Sequence, residues 1–314
     1  MKFLVCVPCE SRHREQLEEN AKGHEFIYNT NPSDELMSTV DVIIGNLKKE
    51  KVKLAKKLKW LQLSFAGTDG FPEIMPEGAI LTNSTGAYGL AMSEHMVGVT
   101  LGLMKNLFMY RDNQHEHVWQ TYGRVQSIHN SVTLILGMGD IGSEYAIRMK
   151  ALGSYVIGVR RVVREKPDYV DEMYTLNDLD KLIPRADVIA MSLPSTPETY
   201  HVMNKERLFM MKKNAVIINV GRGTAIDPDG LYDVLSTKSI WGASIDVTQP
   251  EPLPRDHRLW DLPNLLITPH VSGNFNLQET FERMIKIAAY NIDAYLSGKP
   301  MKNIVDYDTG YRKL

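Results

Sequence analysis

The sequence predicts an α/β protein with two lobes, each built on a doubly wound parallel sheet. Two series of short apolar runs alternate with helical stretches, one over residues 1–88 and one from residue 132 onward. A glycine-rich segment, Gly137 to Gly142, lies near the start of the second series and is typical of a nucleotide-binding turn. The chain has 314 residues, which is too long for one small core and suits two domains.

The first lobe is predicted from short β-strands that alternate with helices. The strands are predicted at Phe3–Val7, Glu25–Tyr28, Val42–Gly45, Leu61–Leu63 and Ile80–Thr82, and the helices at Arg12–Lys22 and Lys48–Lys57. The many lysines of Lys48–Lys59 could bind a polyanion. The periodic Val52, Leu54 and Leu58 instead favour an amphipathic helix with a solvated basic face.

A nearly continuous apolar stretch, Leu90–Met109, follows the first lobe. It predicts a buried helix that links the two lobes. Gly98 and Gly102 would let a second helix approach closely, either across a dimer interface or within this chain. Residues 110–130 are polar and rich in histidine and aromatic residues, so we expect a surface or interface segment there.

The alternation of strands and helices resumes at residue 132 and predicts a nucleotide-binding domain. Its strands are predicted at Val132–Leu136, Tyr155–Val159, Val188–Ser192, Ala215–Asn219, Trp241–Ile245 and Leu265–Thr268. A last apolar helix, Leu277–Ser297, would return to the first lobe. We therefore expect a substrate domain of residues 1–98 plus 281–314, with a dinucleotide-binding domain of residues 99–280 inserted in it.

The composition excludes several classes of protein. A net charge of −2 gives no reason to expect a nucleic-acid or anionic-membrane partner. No apolar run has the length of a membrane span, and the N-terminus is too short for a signal peptide, so we expect a cytoplasmic protein. Cys6 and Cys9 are predicted to be free thiols, because no second pair completes a zinc site. No metal is expected.

The segment Gly137-Met-Gly-Asp-Ile-Gly142 has the spacing of a phosphate-binding turn between a strand and a helix. Gly137 would permit the tight turn, and Gly139 would allow the approach of a pyrophosphate, whose charge the helix N-terminus favours. Gly142 would let the helix and the strand pack closely. A bare turn is the alternative, but the flanking strand and helix patterns favour a nucleotide site.

The end of the second strand in this unit predicts which nucleotide is bound. NAD-binding units often place an acidic residue there for the ribose hydroxyls. This chain instead has Arg160 and Arg161, followed by Arg164 and Lys166. Paired arginines would bind a 2′-phosphate through charge-assisted hydrogen bonds. We expect NADP(H) to be preferred, with NAD(H) as a weaker second cofactor, and solvated loop charges are the alternative.

Polar residues follow three later strands, at the ends where open α/β sheets bind ligands. Arg222 could hold a carboxylate and polarise a neighbouring carbonyl with its planar guanidinium. His270 could donate a proton to the oxygen while hydride arrives at the carbon. Glu251 could orient that histidine and favour its protonated ring. Each alone could be a loop arginine, a turn carboxylate or a capped histidine, but together they suit carbonyl reduction.

Four segments resemble those of the D-isomer-specific 2-hydroxyacid dehydrogenases. They are Ser192-Leu-Pro-Ser-Thr-Pro-Glu-Thr199, Asn219-Val-Gly-Arg-Gly223, Gly242-Ala-Ser-Ile-Asp-Val247 with Glu251-Pro-Leu253, and Thr268-Pro-His-Val-Ser-Gly273. Their order and density make the resemblance far more specific than the glycine turn. It implies two flavodoxin/Rossmann-like lobes that close on a substrate, a nicotinamide cofactor and a homodimer.

The resemblance also implies roles for individual residues. The catalytic trio would be Arg222, Glu251 and His270. The substrate contacts are expected at Ala66, Gly67, Thr68, Arg222 and His270, the first three within Ser64-Phe-Ala-Gly-Thr-Asp69. Asp246 would contact the nicotinamide carboxamide. The other cofactor contacts are expected at Gly137, Met138, Gly139, Asp140, Ile141, Gly142, Arg160, Arg161, Leu193, Pro194, Thr199, Val220, Gly221 and Gly273.

We therefore expect an oxidoreductase that reduces a small 2-oxo acid to a D-2-hydroxy acid, with His270 as the proton donor. Arginine at position 160 is similar to the NADP-using glyoxylate and hydroxypyruvate reductase branches. Glu251 argues against formate dehydrogenase, whose pattern carries glutamine. The family also includes a corepressor branch that senses dinucleotides with the same fold. A dinucleotide-sensing protein without turnover is therefore the alternative.

Overall fold

The computed structural model describes residues 1–162 and 165–307 and divides the chain into two compact units. The first unit is Met1–Tyr88 with Leu277–Leu314, and the second is Gly89–Asn276. Both boundaries lie slightly before those predicted from the sequence, and the roles assigned to the two domains stay predictions. Arg164, one of the basic residues expected near the cofactor, lies outside the described residues.

The two units contain twelve strands and ten α-helices among the described residues. The strands are β1 Lys2–Val5, β2 Glu25–Tyr28, β3 Val42–Ile44, β4 Trp60–Gln62, β5 Ile80–Thr82, β6 Val132–Leu136, β7 Tyr155–Val159, β8 Glu172–Tyr174, β9 Val188–Met191, β10 Val216–Asn219, β11 Gly242–Ile245 and β12 Leu265–Ile267. The helices are α1 Ser11–Glu18, α2 Asp34–Met37, α3 Lys49–Val52, α4 Gly89–Met104, α5 Leu107–His115, α6 Asp140–Ala151, α7 Leu179–Leu182, α8 Lys205–Phe209, α9 Pro228–Ser236 and α10 Gln278–Ser297.

The sheet of the first unit has the strand order β2-β1-β3-β4-β5, and every pair is parallel. This is the flavodoxin-like order, in which the chain reverses direction at β1 and β3. The central strands are buried on both faces, as the fully buried Phe3, Ile43 and Leu61 show. The C-terminal helix α10 belongs to this unit and packs against α1.

The sheet of the second unit has the order β12-β11-β10-β9-β6-β7-β8, again with all pairs parallel. The chain runs outward from β6 to β8 and then returns to the other side of β6 at β9. This is the doubly wound order of dinucleotide-binding domains, and the reversal between β6 and β9 is the place where such sheets bind ligands. The predicted fold class, including the insertion of this unit, is confirmed.

Two helix predictions were wrong in extent. The helix predicted over Lys48–Lys57 ends at Val52, because tight turns follow it and carry Ala55 and Leu58 into the core. Leu54, predicted on the apolar face, is 36% exposed. Most residues of the apolar pattern are buried as predicted. They are buried by turns rather than by a longer helix.

The single helix predicted over Leu90–Met109 is instead two helices, α4 and α5. The break falls at Asn106, whose φ of 57° lies in the left-handed region that ends regular helices. The helix α5 extends to His115, into the stretch that was expected to be a surface or interface segment. Within the described ranges, no helix combines the length and the apolar character that crossing a bilayer requires.

Candidate active site

The glycine turn after β6 is built so that two of its glycines cannot be replaced without a clash. Gly137 has a φ of +102°, and a methyl group added to it would stand 2.9 Å from the backbone oxygen of Ser192. A methyl group on Gly142 would stand 1.9 Å from the backbone oxygen of Gly137. Both contacts are with backbone, which cannot move aside cheaply, so glycine is required at both positions.

The space in front of α6 fits a dinucleotide phosphate. A methyl group added to Gly139, which precedes the helix, would meet no atom of the described residues within 4 Å. Gly139 directly precedes a twelve-residue helix, whose first amides have no intrahelical acceptor. Asp140 is turned away to accept a hydrogen bond of 2.9 Å from the Gly89 backbone amide. The expected pyrophosphate site therefore has room and donors.

Two more segments expected at the cofactor are packed against each other. A methyl group on Gly221 would stand 2.5 Å from the backbone oxygen of Leu193, so the loops after β10 and β9 are in close contact. Thr199 is buried and donates a hydrogen bond of 2.6 Å to the Pro194 backbone oxygen, which fixes the turn between them. Both loops continue from the carboxyl ends of their strands, beside the glycine turn.

The basic pair expected to bind the 2′-phosphate follows the carboxyl end of β7. The Arg160 backbone amide continues the sheet by donating to the Tyr174 oxygen at 3.1 Å, and its side chain is half-buried. Arg161 is exposed and contributes to lowering the pKa of Glu198, after the larger effects of the backbone and of Thr196. The arginine pair thus lies at the same edge of the sheet as the glycine turn.

Arg222 lies in a loop that a buried asparagine holds in place. Asn219 ends β10, and its side-chain nitrogen donates to the Arg222 backbone oxygen at 2.9 Å. The Asn219 side-chain oxygen accepts from the Gly221 amide at 3.0 Å. A methyl group on the next residue, Gly223, would stand 2.1 Å from the backbone oxygen of Thr248, so this loop also packs on the one after β11. The half-buried guanidinium donates to the Gly221 backbone oxygen at 2.8 Å.

His270 and Glu251 form the hydrogen bond that the sequence led us to expect. The Nδ1 of His270 lies 2.6 Å from Oε1 of Glu251, and the two side chains are 50% and 43% exposed. The other carboxylate oxygen of Glu251 accepts from the Thr248 amide at 3.4 Å. Because Nδ1 faces the carboxylate, it carries a hydrogen and Nε2 is left to act on a ligand. Among the described residues Nε2 has no hydrogen-bond partner.

Asp246 holds the loop that carries His270. Its carboxylate is 2% exposed and accepts from the Thr268 hydroxyl at 2.5 Å, the Val271 amide at 3.0 Å, and the Ser272 amide and hydroxyl at 3.0 and 2.5 Å. Burial by itself would raise the pKa of Asp246, but these hydrogen bonds outweigh it and lower the pKa below its usual value. His270 itself has a φ of 53°, a conformation that this bonding maintains.

These residues meet at one edge of the second sheet. The strands β10, β11 and β12 are neighbours and parallel, so their carboxyl ends lie side by side. Arg222 follows the first, Asp246 and Glu251 follow the second, and His270 follows the third. No group of three or more His, Cys, Asp or Glu side chains that could hold a metal ion occurs in the part of the chain that the structure describes.

In the first unit, the loop Ser64–Asp69 follows the carboxyl end of β4 and is also held by hydrogen bonds. The Asn83 side chain donates to the Ala66 oxygen at 2.8 Å, and the Ser84 amide donates to the Phe65 oxygen at 3.0 Å. These bonds use the carbonyl oxygens of the loop. The backbone amides of Ala66 and Gly67 have no acceptor among the described residues. They are available to bind an anion.

Comparison with known proteins decides the family. The family model described as D-isomer specific 2-hydroxyacid dehydrogenase, NAD binding domain, matches residues 97–272, more than half of the chain. The chain belongs to this family. It is an oxidoreductase of small 2-hydroxy and 2-oxo acids, and its cofactor is a nicotinamide dinucleotide.

Similar dehydrogenases and reductases of known structure or name cover nearly the whole chain. A D-isomer specific 2-hydroxyacid dehydrogenase family protein from Aeromonas salmonicida is 32% identical, with a TM-score of 0.86 over 98% of this chain and 99% of that one. An NADPH-dependent glyoxylate/hydroxypyruvate reductase from Sinorhizobium meliloti is 25% identical, with a TM-score of 0.83 over 99% of both chains. A glyoxylate reductase from Thermofilum pendens is 29% identical over 88% of this chain and 82% of its own length.

Sequence reasoning on this dehydrogenase missed the residues that position the site. Asn219 was quoted within a motif but given no role, and Thr268 and Ser272 were likewise not singled out. Their hydrogen bonds run between loops that are far apart in the sequence, so no local pattern reveals them. A buried amide at the end of an apolar strand, as at Asn219, is the one local signal of such a role.

Proposed function

We propose that this dehydrogenase reduces a small 2-oxo acid to the D-2-hydroxy acid, with NADPH as the preferred cofactor. The observation that carries the proposal is the 2.6 Å bond between His270 Nδ1 and Glu251 Oε1, which leaves Nε2 to act on substrate. Arg222 follows a neighbouring strand of the same sheet, so a carboxylate binder and a proton donor share one edge.

The chain's own residues would perform three tasks. Arg222 binds the substrate carboxylate and polarises the adjacent carbonyl through charge-assisted hydrogen bonds. His270 transfers a proton from Nε2 to the carbonyl oxygen as the C–H bond forms at C2, which leaves a neutral imidazole and an alcohol. Glu251 stabilises the positive ring before the transfer and fixes its orientation. When bound, the reduced nicotinamide supplies the hydride.

The amides of Ala66 and Gly67 support the same substrate class. They are donors without a protein acceptor among the described residues, in a loop that Asn83 and Ser84 hold rigid. A fixed pair of amides binds a carboxylate well because no ordering is needed when the anion arrives. We therefore infer that Ala66, Gly67 and Thr68 contact the substrate carboxylate.

We also infer that Asp246 contacts the nicotinamide carboxamide, in addition to its hydrogen bonds to the loop that carries His270.

The activity can be tested with a panel of 2-oxo acids, by following the absorbance of NADPH as it is oxidised. We expect turnover of at least one small acid such as glyoxylate or hydroxypyruvate. The product of hydroxypyruvate is chiral, and we expect it to have the D configuration by chiral chromatography. An L product would contradict the proposed stereochemistry. NADPH binding without turnover of any acid would contradict the proposed function and would instead favour a protein that senses dinucleotides.

Replacing Arg160 by alanine should weaken NADPH binding by about tenfold or more and leave NADH binding nearly unchanged. The reason is that a 2′-phosphate loses a charge-assisted hydrogen bond that NADH never makes. Calorimetric titration with both nucleotides measures this directly. Lys181→Ala removes an exposed cation on α7 of the same unit and controls for net charge. A wild-type kcat/KM for NADH equal to or above that for NADPH would contradict the inference.

Exposed apolar side chains in the segment after α5 support a homodimer. Trp119 is fully exposed, and Val118 and Val125 are also exposed. Exposed apolar and aromatic side chains that cluster on one segment are typical of a surface that a second copy covers. We infer that residues 107–127 form the dimer interface.

Trp119→Arg is therefore expected to convert the dimer to a monomer, because it places a charge in the centre of this apolar surface. Sedimentation velocity over a range of protein concentrations measures the change. Phe209→Arg, which charges an exposed apolar residue on α8, should leave the dimer intact. A wild-type protein that sediments as a monomer at all concentrations would refute the homodimer.

A further inference from the structure

Asn46 lies directly after β3 in the first unit, in an orientation that its neighbour imposes. Its Oδ1 accepts from the Ser64 backbone amide at 2.8 Å and from the Ser64 hydroxyl at 2.9 Å. A backbone N–H can only donate, so the amide oxygen of Asn46 must face Ser64 and the nitrogen must face away. The two hydrogens of Nδ2 have no acceptor among the described residues, although the side chain is half-buried.

The backbone before Asn46 is also fixed. Gly45 has a φ of +120°, and a methyl group added to it would stand 3.1 Å from Cβ of Cys6, which directly follows the neighbouring β1. Its amide donates to the Gln62 oxygen at 2.8 Å. The positive φ favours glycine, and a side chain here would also be in tight contact with Cys6, so Asn46 follows a constrained turn. A polar group held rigidly with unused donors is what recognition of a ligand requires.

Asn46 adjoins the loop that is proposed to bind the substrate carboxylate. Ser64, which holds Asn46, is two residues from Ala66, and both lie at the carboxyl edge of the first sheet. A second donor lies along the same loop, because a methyl group on Gly70 would stand 2.0 Å from Nζ of Lys49. No salt bridge joins Lys49 to a carboxylate of the described residues. This surface offers hydrogen-bond donors to an oxygen-bearing ligand.

We propose that Asn46 determines substrate specificity by donating Nδ2–H to an oxygen on C3 of the substrate. This residue would select 2-oxo acids with a C3 hydroxyl over acids with a methyl group there, since the latter would leave the donor desolvated and unpaired. The inference rests on the proposed function, because it assumes that the carboxylate of a 2-oxo acid binds at Ala66 and Gly67.

The alternative role for Asn46 is to support the loop alone. Loss of that support would displace the carboxylate site and would therefore lower kcat/KM for all 2-oxo acids alike. Loss of a donor to the C3 oxygen would lower kcat/KM only for the hydroxylated acid. The ratio of kcat/KM for two acids that differ only at C3 separates the roles, and hydroxypyruvate and 2-oxobutyrate are such a pair.

In Asn46→Ala we expect the kcat/KM ratio of hydroxypyruvate to 2-oxobutyrate to fall by about tenfold relative to wild type. Asn46→Ser, whose hydroxyl can still accept from Ser64, should show a similar fall and provides a second variant if the first folds poorly. Ser64→Ala is the matched control. It removes one hydrogen bond that supports the loop but leaves Nδ2 of Asn46 in place. It should therefore lower kcat/KM for the two acids equally and leave their ratio unchanged.

An equal loss for both acids in the two Asn46 variants would overturn the specificity role and leave a supporting one. So would a wild-type ratio that does not favour the hydroxylated acid. Absence of turnover with any 2-oxo acid in the wild type would be a failure of the proposed function itself, and the Asn46 inference would fall with it. NADPH titration of each variant checks that the second unit is intact.

Discussion

Replacing His270 by alanine is expected to lower kcat by about 10²-fold or more while NADPH affinity stays close to that of the wild type. The reason is that Nε2 is the group proposed to protonate the substrate oxygen, and alanine has no such group. Among the described residues, the His270 side chain makes one hydrogen bond, from Nδ1 to Glu251 at 2.6 Å. Removing the imidazole therefore removes the proposed proton donor without disturbing the glycine turn. Single-turnover reduction, followed by NADPH absorbance, measures the effect on chemistry.

Two control variants separate proton transfer from backbone effects. His270 has a φ of 53°, in the left-handed region where alanine is strained but asparagine is tolerated. His270→Asn should therefore fold as well as the wild type and be as slow as His270→Ala. His201, which also has a positive φ of 46°, lies elsewhere in the second unit, and His201→Ala should keep near wild-type turnover. A kcat unchanged by His270→Ala would refute the proton-donor role.

Glu251→Gln tests how the ring is held. Glutamine can still accept a hydrogen bond from Nδ1, but it no longer stabilises a positive imidazole. Loss of rate in this variant with an unchanged KM would indicate that the charge of Glu251 matters beyond geometry. Asp246 holds the backbone next to the same histidine, since its buried carboxylate accepts hydrogen bonds from the amides of Val271 and Ser272.

The parts of the fold that the sequence predicted are those encoded by short-range patterns. Apolar runs such as Val132–Leu136 gave strands close to their observed bounds, because a strand buried on both faces must be apolar throughout. The strand β8, Glu172–Tyr174, was not predicted. It lies at the sheet edge and its three residues are only half-buried, so it carries no apolar run.

Other differences depend on contacts between distant residues. The left-handed Asn106, which separates α4 from α5, sits in an apolar pattern that continues through the break. Asn219 holds the Arg222 loop by a side-chain hydrogen bond to its backbone. Four hydrogen bonds join Asp246 to the loop after β12, and the sheet order is what brings these two segments together. The sequence could place polar residues at strand ends, but it could not tell which of them act on a ligand and which hold the loops.

Arg222→Gln is expected to lower kcat/KM by about 10²-fold or more, with a higher KM and a lower kcat together. Glutamine keeps a hydrogen-bond donor but loses the positive charge and the planar pair of donors that match a carboxylate. Substrate binding should therefore be weaker. The carbonyl should also be less polarised as negative charge develops on its oxygen. Steady-state kinetics with saturating NADPH measures both parameters.

The loop itself should survive the Arg222→Gln substitution, because Asn219 holds it through the backbone of residues 221 and 222. NADPH affinity and thermal stability should therefore remain close to wild type. Arg222→Lys, which restores the charge without the planar fork, should recover only part of the activity. Arg258→Gln removes an exposed arginine paired with Asp229 and should have little effect. A KM for 2-oxo acids unchanged by Arg222→Gln would mean that the carboxylate binds elsewhere.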